Sequence, residues 1–271
     1  MSGAPLLDAR GITRRFGGLV AVRNVDLAVG EGQIVGLIGP NGSGKSTMVN
    51  LVTGELPVSE GEIAFRGRAI TGLPAWRRAR LGMARSFQML RVFPTLSVED
   101  NLLLARHIRF RSTLLDSVIG RDKAAADEEA ARARARELLS WFGLEAFAAE
   151  PVTALSIGQQ RMVELARGLM AEPALFVLDE PAAGLSPPNV ERLIELIRRM
   201  RDELGMTILL VEHVMRVVQS VCDHVVVLDS GETIAEGPPA TVVDDPAVVE
   251  AYIGTGRGTR LRRTVRDDAR A

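Results

Sequence analysis

Lysine is nearly absent from this chain of 271 residues: of 33 lysines and arginines, only Lys45 and Lys123 are lysines. Cysteine is scarcer still. Cys222 stands alone, which excludes an internal disulfide, fits a reducing compartment and leaves a small core hydrophobe as its expected role. Histidine occurs only at His107, His213 and His224, which with one cysteine makes no zinc-site pattern. No stretch approaches the roughly 18 consecutive apolar residues that a membrane-spanning helix needs. Met1 to Gly11 lacks a basic region followed by an apolar stretch, so no signal peptide is expected. Aromatics make up 4% of the chain and the net charge is −1, which argues against a dedicated nucleic-acid binder. What remains is a globular composition, 46% hydrophobic and 25% charged, long enough for one large domain or a core carrying a subdomain.

The rarity of lysine gives Lys45 weight. It lies in Gly39-Pro40-Asn41-Gly42-Ser43-Gly44-Lys45-Ser46-Thr47, which fits G-x-x-x-x-G-K-[ST], the phosphate-cradling P-loop. Gln33 to Ile38 before it reads as a buried strand, and Ser46 to Val52 after it as a helix start, which is the context the pattern requires. Glycines let the backbone wrap a phosphate without Cβ clashes. The N–H groups from Gly39 through Asn41, Gly42, Ser43 and Gly44 then form an anion nest, and the helix N-terminus adds partial positive charge. Lys45 is expected to bridge the β- and γ-phosphates of a nucleotide, Ser46 to ligate Mg²⁺, and Thr47 to bond phosphate oxygen. Arginine is a wide planar fork and lysine a compact point charge, and a cramped phosphate nest wants the second.

Leu6 to Ile12 and Val20 to Val29 alternate as half-buried antiparallel strands, joined by a turn at Arg14 to Gly18. Phe16 in that turn is a candidate platform for adenine stacking, with Val22 against the base edge. Gly61 to Phe65 reads as a strand, Leu73 to Arg80 as a short basic helix, and Gly82 to Gln88 as a strand ending in Gln88. Ser97 with Asp100 three residues on is a helix-start signal. Asp122 to Leu144, rich in Ala, Arg and Glu, predicts a helix whose Arg132, Arg134 and Arg136 form a solvated face. Arg109 to Arg121 before it is irregular.

Leu155-Ser156-Ile157-Gly158-Gln159-Gln160 precedes a helix over Arg161 to Ala171. Ser156 is placed to cap it, and such a cap is a second anion site or simply an ordinary helix start. Ala174 to Glu180 is an apolar strand ending in two carboxylates, the pattern of a Walker B strand. Asp179 is expected to hold Mg²⁺ and Glu180 to polarise an attacking water. Pro187 to Leu204 predicts a helix with proline in its first turn. Met206 to Val211 predicts a strand that places His213 at its C-terminal end, where open α/β sheets bind ligands. Asp223 to Asp229 and Glu232 to Ala235 read as strands, and Pro246 to Ile253 as a short helix. The arginine-rich tail after Gly254 is expected to be disordered.

The P-loop, Gln88, Leu155 to Gln159, Asp179-Glu180 and His213 stand in the order seen in ATP-binding-cassette ATPases, and the resemblance runs from about Leu6 to Gly254. It implies an α/β P-loop core with an antiparallel β subdomain and an inserted helical subdomain at about residues 95–170. It also implies that two such domains meet head to tail, with each ATP between one subunit's P-loop and the other's signature segment. Ser156, Gly158 and Gln159 would then contact the γ-phosphate held by the partner. Glu180 would be the general base, and His213 would hold the γ-phosphate or the water. Gln88 would join Mg²⁺ and water and report nucleotide state to a membrane partner. Ile157 stands where that family mostly has glycine, and Ser186 where it mostly has aspartate.

Arg15 to Leu19, Leu155 to Arg161, Pro181 to Pro187 and Pro246 to Gly254 resemble the LivG-type ATP-binding subunits of branched-chain amino-acid importers. That resemblance implies two membrane permease subunits, a LivF-like second ATPase or a second copy of this chain, an extracytoplasmic solute-binding protein, and a place on the cytoplasmic face of the inner membrane. No nucleic-acid partner is expected. The alternatives are the ATPase of a lipopolysaccharide-type extraction complex and a soluble ATP switch. A DNA-organising switch would need long heptad repeats, which are absent, and a translation-factor version would carry two P-loops.

Overall fold

The computed structural model describes residues 4–86, 92–106 and 121–253. Two sheets organise it. The first has the order β2-β1-β4-β5 and is antiparallel, built from β1 (Leu7–Phe16), β2 (Leu19–Val29), β4 (Glu60–Phe65) and β5 (Arg68–Ala69). The turn between β1 and β2 is tighter than the sequence suggests: Phe16 pairs with Leu19, and only Gly17 and Gly18 lie between.

The second sheet has the order β10-β9-β3-β8-β7-β6. Its strands are β3 (Ile34–Ile38), β6 (Met83–Arg85), β7 (Leu175–Asp179), β8 (Thr207–Val211), β9 (His224–Asp229) and β10 (Glu232–Gly237). All pairs are parallel except β9 with the edge strand β10. Every residue of β3, β7 and β8 is buried, as continuous apolar runs require when both faces of a parallel sheet are covered.

Strand alternation splits most of those residues between two cores, while Ile38 enters a third, smaller core with Val225 and Val227 of β9. Ile34, Phe176, Leu178, Ile208 and Leu210 enter one, formed with helices α3 (Val98–Arg106), α4 (Arg121–Trp141), α5 (Ile157–Leu169) and α6 (Pro187–Leu204). Val35, Leu37, Leu175, Val177, Leu209 and Val211 enter the other, formed with α1 (Lys45–Thr53) and the antiparallel sheet. A short α2 (Ala75–Arg80) precedes β6, and α7 (Met215–Val221), α8 (Pro239–Val242) and α9 (Pro246–Ile253) complete the chain. No local pattern marks α7 or α8 in advance. Among the described residues no helix is long and apolar enough to cross a membrane.

Helix ends follow their caps. The Asp100 N–H donates to Ser97 Oγ at 3.0 Å, and the Ser97 hydroxyl donates to Asp100 Oδ2 at 2.7 Å, starting α3 as expected. α4 stops at Trp141 rather than Leu144, because Gly143 turns into the left-handed region with φ 67°. Its arginines lie on a charged face: Arg132 pairs with Glu128 at 2.9 Å and Arg134 with Glu137 at 2.7 Å. α5 begins at Ile157, earlier than the expected Arg161, so the signature residues form its first turn. Cys222 packs against both the β9 edge core and the helical core, as a small hydrophobe should. Gln88, the Arg109-to-Arg121 stretch apart from its last residue, and the tail from Gly254 lie outside the described residues.

Candidate nucleotide-binding site

The P-loop joins β3 to α1, and its glycines are dictated by contact. Gly39 has φ 147°, and a Cβ there would lie 2.1 Å from the Leu228 carbonyl oxygen. Gly44 has φ 106°, and its Cβ would lie 2.8 Å from the Ala21 oxygen. Gly42, with φ 82°, and Asn41 are exposed. α1 starts after Gly44 without a side-chain cap, leaving its first-turn N–H groups available to an anion. Ser43 Oγ is buried with no hydrogen-bond partner, an orphan that a phosphate oxygen would satisfy. Ser46 is exposed at the head of the helix and Thr47 half-buried beside it.

Lys45 is 5% exposed, and its Nζ donates to the Gly39 and Pro40 carbonyls at 2.8 and 2.9 Å. Burial pulls its ammonium below the usual lysine range, against the opposing pull of Glu180 and Asp179. The structure therefore brings the Walker B carboxylates into electrostatic reach of the P-loop cation. Asp179 ends β7, 6% exposed. Its N–H donates to Ser86 Oγ at 3.2 Å, and its Oδ2 accepts from Arg85 Nη2 at 2.7 Å. Glu180 follows in the left-handed region with φ 49°, its N–H bonded to the Val211 carbonyl at 2.8 Å. A non-glycine residue held there stores strain, which clusters at functional sites.

His213 lies two residues beyond β8 and is exposed. The preceding Glu212 is fully buried and accepts from the main-chain N–H groups of Ala182, His213 and Val214 at 2.7, 3.1 and 3.3 Å. Burial pushes its carboxyl above the usual range, and those three N–H groups oppose the shift.

Phe16 is 42% exposed, and the Arg14 guanidinium covers one face of its ring at 4.6 Å. Val22 corrects the expectation for it. It is fully buried in the core beneath the loop and is not a surface contact for a base. Asn24 explains this: it adopts φ 47° where the β1–β2 register shifts, which slips the alternation and turns Val22 inward.

The signature residues form a capping box on α5. Ser156 N–H donates to Gln159 Oε1 at 2.9 Å, and Gln159 N–H donates to Ser156 Oγ at 3.4 Å. A Cβ on Gly158 would sit 2.8 Å from the Asn189 amide. Ser156 and Gln159 thus bond each other, and Gly158 backs closely onto Asn189.

Sequence reasoning missed Arg85, Glu212 and Tyr252. Tyr252 accepts from the Gly39 N–H at 2.9 Å, tying α9 to the start of the P-loop. A residue next to His213 or three before Gln88 is a weak signal, and no local pattern marks a tyrosine as the support of a loop so far upstream.

A P-loop whose lysine faces an Asp-Glu strand end, in a sheet flanked by an antiparallel layer and by a helical layer, is the ATP-binding cassette arrangement of P-loop ATPases. A family model described as ABC transporter matches residues 22–183, and a second, described as branched-chain amino acid ATP-binding cassette transporter, matches residues 232–257. The chain belongs to the ABC transporter ATP-binding family and is an ATPase that binds nucleotide.

It is 41% identical over 250 residues to the high-affinity branched-chain amino acid transport ATP-binding protein BraF of Pseudomonas aeruginosa, covering 92% of this chain and 98% of that protein. LivG of Escherichia coli is 39% identical with the same coverage. Among solved structures, a nucleotide-free ATP-binding cassette from an ABC transporter superposes with TM-score 0.80 at 32% identity, covering 92% of this chain and 99% of that one. Another such cassette in its ADP conformation gives TM-score 0.81 at 32% identity, covering 93% and 100%.

Proposed function

We propose that this chain is the ATP-hydrolysing subunit of an importer for branched-chain or related small amino acids. The observation that carries the proposal is the near end-to-end similarity to BraF, a high-affinity branched-chain amino acid transport ATP-binding protein. The match of residues 232–257 to the branched-chain amino acid ATP-binding cassette transporter family supports it.

In this reading the P-loop amides and Lys45 hold the phosphate chain. Phe16 offers its open ring face to adenine. Ser46 and Asp179 supply hard oxygen donors that fit Mg²⁺, with Gln88 a further ligand. Bound there, Mg²⁺ neutralises phosphate charge. Hydrolysis is then mostly positioning and charge stabilisation. Glu180 takes the proton of the attacking water, and His213 steadies the γ-phosphate. Ser156, Gly158 and Gln159 lie in a helical subdomain, about residues 95–170, and close on the nucleotide of a head-to-tail partner. That partner is a LivF-like ATPase or a second copy of this chain. Two permease subunits and an extracytoplasmic solute-binding protein complete the complex, with this chain peripheral on the cytoplasmic face of the membrane.

Purification of tagged Glu180→Gln in ATP from the native membrane tests the proposal. Recovery of two multi-span permeases and a sister ATPase supports it, and the accompanying binding protein identifies the cargo. Recovery of the chain with soluble partners alone, or with a lipopolysaccharide-extraction complex, overturns it.

A further inference from the structure

Glu212 is a carboxylate with no exposed surface, and its partners are main-chain N–H groups rather than an arginine. Its two oxygens serve two different loops. Oε1 accepts from Ala182 at 2.7 Å, in the loop that follows Asp179 and Glu180. Oε2 accepts from His213 and Val214 at 3.1 and 3.3 Å, in the loop that leaves β8. Ala182 also sits inside a turn closed on Glu180, because the Ala183 N–H donates to the Glu180 carbonyl at 3.1 Å. One side chain thus fixes the backbone that carries Glu180 and the backbone that carries His213. Glu180 is the strained residue of the pair, with φ 49°, and such a conformation persists only where its surroundings over-determine it.

An apolar side chain of equal size would fill the same space without the cost of burying a charge. It could not gather N–H groups from both loops. We propose that Glu212 is a positioning residue for ATP hydrolysis, a clamp that locks the Glu180 turn and the His213 loop into one unit. This rests on the reading in which Glu180 and His213 act on the water and the γ-phosphate. The bonds of Glu212 go to Ala182, His213 and Val214 and not to the P-loop, so its contribution belongs to turnover and not to nucleotide affinity.

Glu212→Gln separates the possibilities. A carboxamide has one acceptor oxygen and one NH₂ group, so it serves one loop and presents its own N–H to the N–H of the other. In the full-length chain, kcat should fall roughly 10–100-fold, the scale of misplacing a catalytic group by about 1 Å. The Kd for a fluorescent ATP analogue should stay within about twofold. In a Glu180→Gln, His213→Ala background, measured under single turnover, the same change should add less than about threefold, because both residues it positions are already gone. Glu212→Asp keeps both acceptors on a shorter stem and should recover part of the rate. It carries the test alone if the Gln form does not fold, a lowered kcat at parental Kd being the supporting result. A parental kcat in Glu212→Gln (or in Glu212→Asp where the Gln form does not fold), or a full multiplicative loss in the Glu180→Gln, His213→Ala background, overturns the clamp. Glu180→Gln is the control. If it turns over ATP like the parent, the assignment of the base fails, and the clamp fails with it for that separate reason.

Discussion

The Arg85 guanidinium donates from Nη2 to Oδ2 of Asp179 at 2.7 Å, and the two side chains are only 12% and 8% exposed. The same guanidinium donates from Nη1 to Asn50 Oδ1 at 2.7 Å and pairs with Glu55 at 3.4 Å. Arg85 lies on the edge strand β6, opposite Val177 of β7, so it ties the far end of the P-loop helix to the Walker B strand.

Removing one partner of a buried pair leaves the other uncompensated, which costs about 3–5 kcal/mol. Arg85→Ala should therefore unfold well below the parent, and adding Asp179→Asn should restore part of the loss. Thermal unfolding followed by circular dichroism checks both. An equal loss with and without Asp179→Asn would show that the pair is not its source.

Tyr252 is the second such tie. Burial raises its phenol to about 12, although the bond from the Gly39 N–H works the other way. The hydroxyl is therefore neutral through the physiological range and its oxygen serves as an acceptor. Tyr252→Phe keeps the ring and leaves a buried main-chain N–H without its partner, a penalty of about 1–3 kcal/mol. For a chain of this size that is a fall in Tm of about 2–12 °C. Nucleotide affinity should fall with it, because Gly39 opens the P-loop. A variant with parental Tm and parental affinity would show that the bond contributes nothing.

What could be read in advance was what is local. β3, β7 and β8 are unbroken apolar runs ended by polar or glycine residues, and α6 has the bounds expected of it because Pro187 marks its start and Gly205, with φ 63°, its end. The P-loop was legible because its glycines answer to backbone geometry. Arg85, Glu212 and Tyr252 act through bonds to residues 94, 30 and 213 positions away, and nothing in one sequence pairs such positions. Val22 was misplaced for a related reason. Alternation is a reliable guide only while the register holds, and Asn24 breaks it.

Cys222 gives a probe of the native state. Its thiol is pushed up to about 12, chiefly by burial, with Asp223 and Glu212 adding to the shift. A raised thiol pKa means less thiolate at any given pH, and the thiolate is the species that alkylates. An unperturbed cysteine has pKa about 8.5. At pH 8 the native chain should therefore react with iodoacetamide about a thousandfold more slowly than the chain in denaturant. Mass spectrometry over a time course measures both rates. Labelling of the native chain at the denatured rate would place Cys222 in water rather than packed against the cores on either side of it.

Lys45 tests why this chain keeps a lysine where arginine has taken almost every other basic position. Its Nζ fits between two carbonyls at 2.8 and 2.9 Å, with 5% of the residue exposed. A guanidinium carries the same charge but is planar and wider, and it cannot place one nitrogen between those oxygens without displacing the loop. The guanidinium also stays charged in the pocket. Lys45→Arg therefore keeps the charge and changes only its shape. The fold should survive, because an exposed mouth lies next to the site at Asn41, Gly42 and Ser46. ATP affinity should weaken by about 10–100-fold, the value of one charge-assisted hydrogen bond. Titration with a fluorescent nucleotide, set beside the Tm, decides the matter. Parental affinity would mean that the nest reads charge alone, whereas lost affinity at parental Tm means that it reads the compactness of the ammonium.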